Sequence, residues 1–314
     1  MSCGSNRALT NYTSAQGYIG DKRNDDVLVY LNGDFVHRDK ASVSVFDSGF
    51  VLGDGVWEGL RLVNNRLLSL DLHMDRLFEG AKAISLDIGM TRQEVVDAIM
   101  ATCARNGLTD GAHIRLMISR GRKATPNQDP RFTLGKATVV IIAELKRPKF
   151  EASETGLKLF TSTYRCSTPD VFDLRLNSHS RLNLIQALIQ AIAAGADEAL
   201  MLDPLGFVAS CNSTNFFIVR KGELWTSTGK YNFNGITRGH VIDLYGRHIG
   251  PSRQLDFTLA QAYSADEAFV TGTLGGVSPV TQIDGHAIGD GRTGPLTRKI
   301  TAVYWDYVKE SCAG

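Results

Sequence analysis

Apolar residues begin to recur with a structural period at Val27, and from there the chain reads as short elements joined by glycine turns. The run VLVYL (27–31), the pair Asn32-Gly33 and the run FVHR (35–38) predict a β-hairpin, because Asn-Gly accepts the positive φ of a tight turn. ASVSVFD (41–47) alternates apolar and polar residues as a strand does. Leu72, Leu77, Ala81 and Ile84 fall at helical spacing in LHMDRLFEGAKAI. A second helix is predicted from Thr91 to Cys103, with Thr91 as cap and Glu94 three residues on. HIRLMIS (113–119) and ATVVIIAEL (137–145) follow as strands, the second apolar enough for full burial. Residues 1–25 are rich in Ser, Asn, Gly and Thr and predict a flexible tail.

The charged run KRPKFEASE, with Pro148, breaks the pattern and predicts a linker over 146–156 between a small domain (26–145) and a large one (157–314). The large domain opens with the strand LKLFTST, then a helix from about Ser180 to Ala194 that ends at Gly195. Strands EALMLD, GFVAS, TNFFIV and ELWTS come next. GITRGHVIDLYG is a helix with a glycine-led start, and EAFVTGT a strand running into a Gly-rich turn. The fold class is therefore α/β, mixed enough to be called α+β, in two domains.

A net charge of +1 over 314 residues gives no field that would draw nucleic acid or acidic lipid. Five widely spaced cysteines without a C-x-x-C exclude a disulfide framework or zinc site, so no metal is expected and a reducing, cytoplasmic setting fits. No apolar run approaches a membrane span, and the first 22 residues carry no signal-peptide pattern.

Two segments could hold a phosphate, which needs several N–H donors and is served well by helix starts and glycine turns. Gly235, Ile236 and Thr237 open a helix with a hydroxyl at hand, and Gly272, Thr273 and Leu274 follow a strand into Gly275-Gly276. Either could be a plain turn. Their order, together with VFDSGFVLGDGVWEGLR (45–61), HMDRL (73–77), GADEALMLDPLGFV (195–208) and STNFFIV (213–219), resembles the class IV aminotransferases, the fold-type IV family of pyridoxal phosphate enzymes. The resemblance runs from about Val29 to Val280 and implies the two-domain D-amino-acid aminotransferase-like fold. It further implies pyridoxal 5'-phosphate or pyridoxamine 5'-phosphate at the domain interface, gripped by both turns and by Arg76. It places Phe233 against the ring and implies a homodimer. Read without the family, Arg76 is a helix-surface arginine in an ion pair, Phe233 is plain core, and Trp57 is either core or interface.

Transamination on this cofactor needs a lysine that bonds it and shuttles a proton, helped by a carboxylate at the pyridine nitrogen. By the family's spacing the lysine position is Asn177, and a small shift would give Ser178 or His179 instead. The glutamate position is Ser210. Two losses together point to natural divergence. The phosphate grip is retained, so the resemblance implies a cofactor bound without a covalent link. His179 is a candidate general base in place of the amine, with a structural role as the alternative. Arg115 matches an arginine that receives the substrate in branched-chain aminotransferases, with a structural ion pair as the alternative reading, His113 stands where these carry a tyrosine, and Glu58-Gly59-Leu60-Arg61 is closer to that group than to the D-amino-acid group. The expected ligand is an amino acid or keto acid. An aminotransferase-like enzyme leads, with a catalyst of other chemistry on the same fold or an inert binder of a phosphorylated ligand as alternatives.

Overall fold

The computed structural model describes residues 14–148 and 155–313, and most of the linker expected over 146–156 lies outside them. The chain divides into two compact units: Gly20–Arg147 with Leu176–Arg181 and Ser311–Gly314, and Met1–Ile19 with Pro148–Arg175 and Leu182–Glu310. The first is called here the small unit and the second the large unit.

The small unit is a six-stranded antiparallel sheet backed by two helices. Its strands are β1 (Leu28–Leu31), β2 (Asp34–His37), β3 (Gly55–Val63), β4 (Arg66–Leu67), β5 (Ala112–Ser119) and β6 (Thr138–Leu145), in the order β2-β1-β6-β5-β3-β4. The β1–β2 turn is the expected one, with Asn32 at φ 52 and Gly33 at φ 107. The helices are α1 (Leu70–Ala83) and α2 (Arg92–Arg105), and α2 starts on a full capping box between Thr91 and Glu94. Successive strand residues face opposite ways. Val56, Leu60, Ile114, Leu116 and Ile118 therefore face α1 and α2, where they meet Met74, Leu77, Val95 and Ile99 in one core. Each such side chain, nearly fully buried, contributes roughly 1.5–3 kcal/mol. Trp57, Gly59, Arg61, His113, Arg115 and Met117 share the other face.

Residues 41–46 are not the strand their alternation predicts. Lys40 and Ala41 both donate N–H to the His37 carbonyl, which turns the chain off the edge of β2. Val43, Val45 and Phe46 stay exposed beyond that turn. The tail expected over 1–25 carries, in its described part, the start of a short 3-10 helix (Lys22–Asp26) capped by Asp21. Asn24 there bonds both backbone groups of Leu145.

The large unit is built on a nine-stranded mixed sheet. Its elements are β7 (Leu157–Thr161), α3 (Leu182–Ala193), β8 (Glu198–Leu202), β9 (Val208–Cys211), β10 (Asn215–Arg220), β11 (Glu223–Thr226), α4 (Ile236–His248), β12 (Ser252–Gln254), β13 (Glu267–Gly272), β14 (Gly276–Ile283), β15 (His286–Ala287) and α5 (Pro295–Ser311). The strand order is β9-β8-β7-β14-β13-β10-β11-β12, with β15 beside β14. Every residue of β8 and the first five of β10 are buried, because both faces of this sheet are covered. Leu200 and Leu202 enter one core, and Ala199 and Met201 enter another under Ala187 and Ala191 of α3.

The helix expected from Ser180 begins two residues later, at Leu182. The reason is that residues 177–180 are laid along the free start of β3. Trp57 N donates to the Asn177 carbonyl (2.9 Å) and His179 N to the Gly55 carbonyl (2.9 Å). Trp57 Nε1 donates to the Ser178 carbonyl (3.0 Å), and Ser180 Oγ to the Gly53 carbonyl (3.0 Å).

Candidate active site

In the large unit, the turn before α4 and the turn after β13 are both organised around Asn215, the first residue of β10. Asn215 Oδ1 accepts the Gly235 N–H (3.1 Å), and Asn215 Nδ2 donates to the Phe233 carbonyl (2.6 Å) and to Ser210 Oγ (3.2 Å). A Cβ on Gly235 would lie 2.4 Å from Asn215 Oδ1, so only glycine permits this approach. Across the ladder Asn215 faces Thr271, and a Cβ on Gly272 would touch Thr214 at 3.5 Å. The two sequence-predicted phosphate turns therefore converge on one corner. Asn215 was not singled out from the sequence, although it lies inside the STNFFIV motif.

This corner is suited to an anion. No side chain caps Gly235, which leaves the first-turn N–H groups of α4 uncapped from that residue, at the positive end of the helix dipole. Thr237 in that turn is buried, and Thr271 Oγ1 is buried with no hydrogen-bond partner among the described residues. Thr273 is half-buried and Leu274 buried beside them. Arg238, the last residue of GITR, turns inward. Its Nη2 donates to the Ser227 carbonyl (2.6 Å) and Gln254 Oε1 (2.9 Å), and burial lowers its pKa to about 10.

Ser210 has no free capacity as a proton donor, because its hydroxyl donates to the Thr214 carbonyl at 2.9 Å. Glu198, the buried carboxyl one strand away, is committed elsewhere. Its Oε1 accepts from Ser213 Oγ (2.7 Å), Thr214 Oγ1 (2.9 Å) and Ser213 N (3.2 Å), and burial raises its pKa. It holds the corner that delivers Asn215.

In the small unit, Arg76 projects from α1 onto Glu58. Arg76 Nε and Nη2 donate to the two Glu58 oxygens at 2.7 and 2.6 Å, and His73 Nδ1 lies 2.7 Å from Oε2. Glu58 is 0% exposed. Burial pushes its carboxyl up, and the bonds and charges of Arg76 and His73 more than reverse that, leaving its pKa below the ordinary value. The opposite face of the sheet carries Arg61, His113 and Arg115 together. Arg115 lies over the Trp57 ring, its Cζ 3.9 Å from the centroid. Burial, and the nearby charges of Lys146, Arg115, Arg61 and His73, push His113 down to about 3, so it is neutral at physiological pH.

The Val56–Ser178 bridge sets Asn177 and His179 on the Trp57 side of β3. Asn177 is 4% exposed, and its Oδ1 accepts from Arg181 Nη2. His179 Nε2 lies 3.0 Å from the Val56 carbonyl, and burial lowers its pKa.

Similarity to known proteins agrees with this geometry. The description "Amino-transferase class IV" belongs to the family profile that matches residues 55–283. A putative branched-chain-amino-acid aminotransferase of Methanocaldococcus jannaschii is 39% identical over 88% of this chain and 95% of its own length. Branched-chain-amino-acid aminotransferase-like protein 2 of Arabidopsis thaliana is 38% identical over 90% of this chain, which spans only 50% of that relative. Among solved structures, the T.th. branched-chain amino acid aminotransferase complexed with N-(5'-phosphopyridoxyl)-L-glutamate superimposes with a TM-score of 0.83 at 32% identity, covering 91% of this chain and 95% of the other. The chain belongs to the class IV aminotransferase family and has its mixed α/β fold.

A phosphopyridoxyl group makes three demands: a phosphate grip, a charge at the pyridine nitrogen and a primary amine. The Gly235–Thr237 and Thr271–Leu274 corner fits the phosphate. Ser210, the position that the resemblance gives to the carboxylate at the pyridine nitrogen, bears a hydroxyl whose proton is already given to a carbonyl. Asn177, the position that the resemblance gives to the lysine, bears an amide, which cannot act as the nucleophile.

Proposed function

We propose that the protein binds a phosphopyridoxyl compound, pyridoxal or pyridoxamine 5'-phosphate, by its phosphate and without a covalent bond. The carrying observation is the contrast at Asn215, whose side chain at once braces an uncapped helix start and occupies the hydroxyl that stands in for the family's carboxylate. Gly235, Ile236, Thr237, Gly272, Thr273 and Leu274 hold the phosphate, with Phe233 beside the ring. Bound there, the group would supply an electron-withdrawing ring. Asn177 and Ser210 leave ordinary lysine-mediated transamination without its nucleophile and its ring proton.

An amino or keto acid is the expected substrate, and the enzyme reading rests on Arg115. A half-buried guanidinium stacked on Trp57 keeps its in-plane N–H edge for a carboxylate, with Arg61 and neutral His113 beside it. His179 holds its ring against the Val56 carbonyl, which supports a positioning role better than proton transfer. Inert binding of a phosphorylated ligand is the second reading, favoured by the same two losses.

Titration of the protein with pyridoxamine 5'-phosphate tests the first claim. Saturable binding is expected, competed by inorganic phosphate and about a hundredfold or more tighter than that of pyridoxamine, since charge-assisted bonds contribute roughly 1.5–3 kcal/mol each. Equal affinity for the two amines would contradict it.

A cytoplasmic homodimer is also proposed. Leu182, Ile185, Ile189 and Ile192 lie at helical spacing on α3 and are 68, 50, 59 and 63% exposed, an apolar stripe that a second copy would cover. No helix among the described residues is long and apolar enough to cross a membrane. Sedimentation should give a dimer for the native chain and a monomer for Ile185→Asp/Ile189→Asp. A native monomer would end this reading.

A further inference from the structure

Residues 14–17 fall in the stretch whose composition predicts a flexible tail, yet they form a docked turn. Gly17 N donates to the Ser14 carbonyl (2.8 Å) and Gln16 N to Ser14 Oγ (3.1 Å), which closes a β-turn. Ala15 is 4% exposed and enters the core of the large unit with Phe216, Val270 and Val280. The turn sits against the two glycines that flank Thr273 and Leu274. A Cβ on Gly275 would lie 2.9 Å from the Ala15 carbonyl oxygen and 2.9 Å from Ser278 Oγ, and a Cβ on Gly272 would lie 3.6 Å from Gln16 Nε2. Only glycine permits the approach at 275. One residue on, a Cβ on Gly276 (φ 62) would lie 2.9 Å from Tyr304 and 3.0 Å from Trp305 of α5.

The contact lies behind the phosphate corner and not over it. Directly paired residues of an antiparallel ladder share a face, and successive residues alternate between faces. Asn215 and Thr271 are paired and mark the phosphate side, so Phe216, Val270 and Ser278 lie on the other side, where Ala15 packs. The N-terminal turn therefore backs the glycine turn and leaves its ligand side uncovered. Glycines lose more conformational freedom on ordering than any other residue, and fixing one backbone shifts an equilibrium by roughly tenfold. A segment that fixes the turn beforehand removes that cost from ligand binding. By linkage, a bound ligand then favours the docked segment by the same factor.

We propose that Ser14–Gly17 is a positioning strap, which docks behind the Gly272–Gly276 turn, orders it for a phosphate and is held in turn by the bound phosphate. The proposal rests on the reading of that turn as a phosphate holder. It goes further in making affinity depend on a segment that does not touch the ligand, and in making that segment respond to occupancy of the site.

Two measurements on the full chain test it. Hydrogen exchange of the native protein is followed with and without pyridoxamine 5'-phosphate or inorganic phosphate. Each compound is expected to slow the Gly17 amide, which is bonded within the strap, by about tenfold, together with the amides of residues 273–276. The second measurement is titration of Ala15→Asp, which places a charge at the core position and undocks the strap. Pyridoxamine 5'-phosphate and inorganic phosphate should each bind this variant about tenfold more weakly than the native chain, the size of one backbone left to be fixed by the ligand. Ala15→Cys, which keeps a small apolar side chain, should bind both within about twofold of native. Unchanged exchange at Gly17 in a protein that binds either compound would overturn the strap and leave the phosphate reading standing. Native affinity in a folded Ala15→Asp chain would do the same, and if that variant does not fold, the exchange of the native chain decides alone. Binding of neither compound to the native chain would overturn both readings.

Discussion

Glu58→Gln is expected to destabilise the small unit by about 3–5 kcal/mol, because it leaves a buried cation without its counter-charge. Glu58 is fully buried and is the shared acceptor for Arg76 and His73. A glutamine keeps the volume and one acceptor oxygen but removes the charge and turns the other acceptor into a donor facing a donor. The effect has a defined pH signature. The folded-state pKa of Glu58 lies below its ordinary value of 4.5, so its contribution is present above that value and fades as pH falls through the lower, folded one. Denaturant unfolding at pH 7 should show the full difference between native chain and variant, and the difference should shrink in acid below about pH 4. A loss under about 1 kcal/mol at pH 7, the scale of an exposed ion pair, would mean that this trio is not the anchor of α1 on β3.

Asn177→Lys should turn a chain that forms no covalent product with pyridoxal phosphate into one that does. The backbone at 177 is set by its bond to Trp57 N, and the bridge at Ser178 directs the side chain to the Trp57 face. A lysine there would sit beside Arg181, and that like charge favours its neutral, nucleophilic amine. Borohydride treatment should then leave one mass increment of a reduced pyridoxyl phosphate on a peptide containing residue 177. An unmodified variant that still binds the phosphate compound would show that Asn177 is not the family's lysine position.

Much of this architecture is legible locally. The Thr91–Glu94 capping box, the Asn32-Gly33 turn and the glycine-led start of α4 each depend on neighbours within a few residues, and each forms as expected. Long-range pairing is another matter. Residues 177–180 join β3 across more than a hundred positions of sequence, and nothing in LNSHSR signals an added edge instead of a helix start. Residues 41–46 show the converse, a strand-like alternation with no ladder to enter.

The site was legible as motifs and not as interactions. By sequence Glu58 marks only the subfamily, yet strand alternation sets it beside Val56 and Leu60 on the core face, where a carboxylate requires a cation. Arg76 on the facing helix is that cation. Asn215 looked like one letter of a strand motif, and its three side-chain bonds to Ser210, Phe233 and Gly235 exist only once β10 and α4 are side by side. Trp57, core or interface by sequence, lies beneath two arginines, one from β5 and one from the segment before α3, that meet only in the folded unit.

The most direct test of the central claim is an intact mass of the native chain after saturation with pyridoxal 5'-phosphate and borohydride reduction, with Asn177→Lys as the positive control. The account predicts an unchanged native mass in a sample that binds the compound reversibly and releases it to phosphate. A single pyridoxyl adduct mapped to any one lysine of the native chain would contradict it, and would return ordinary aminotransferase chemistry to this member of the family.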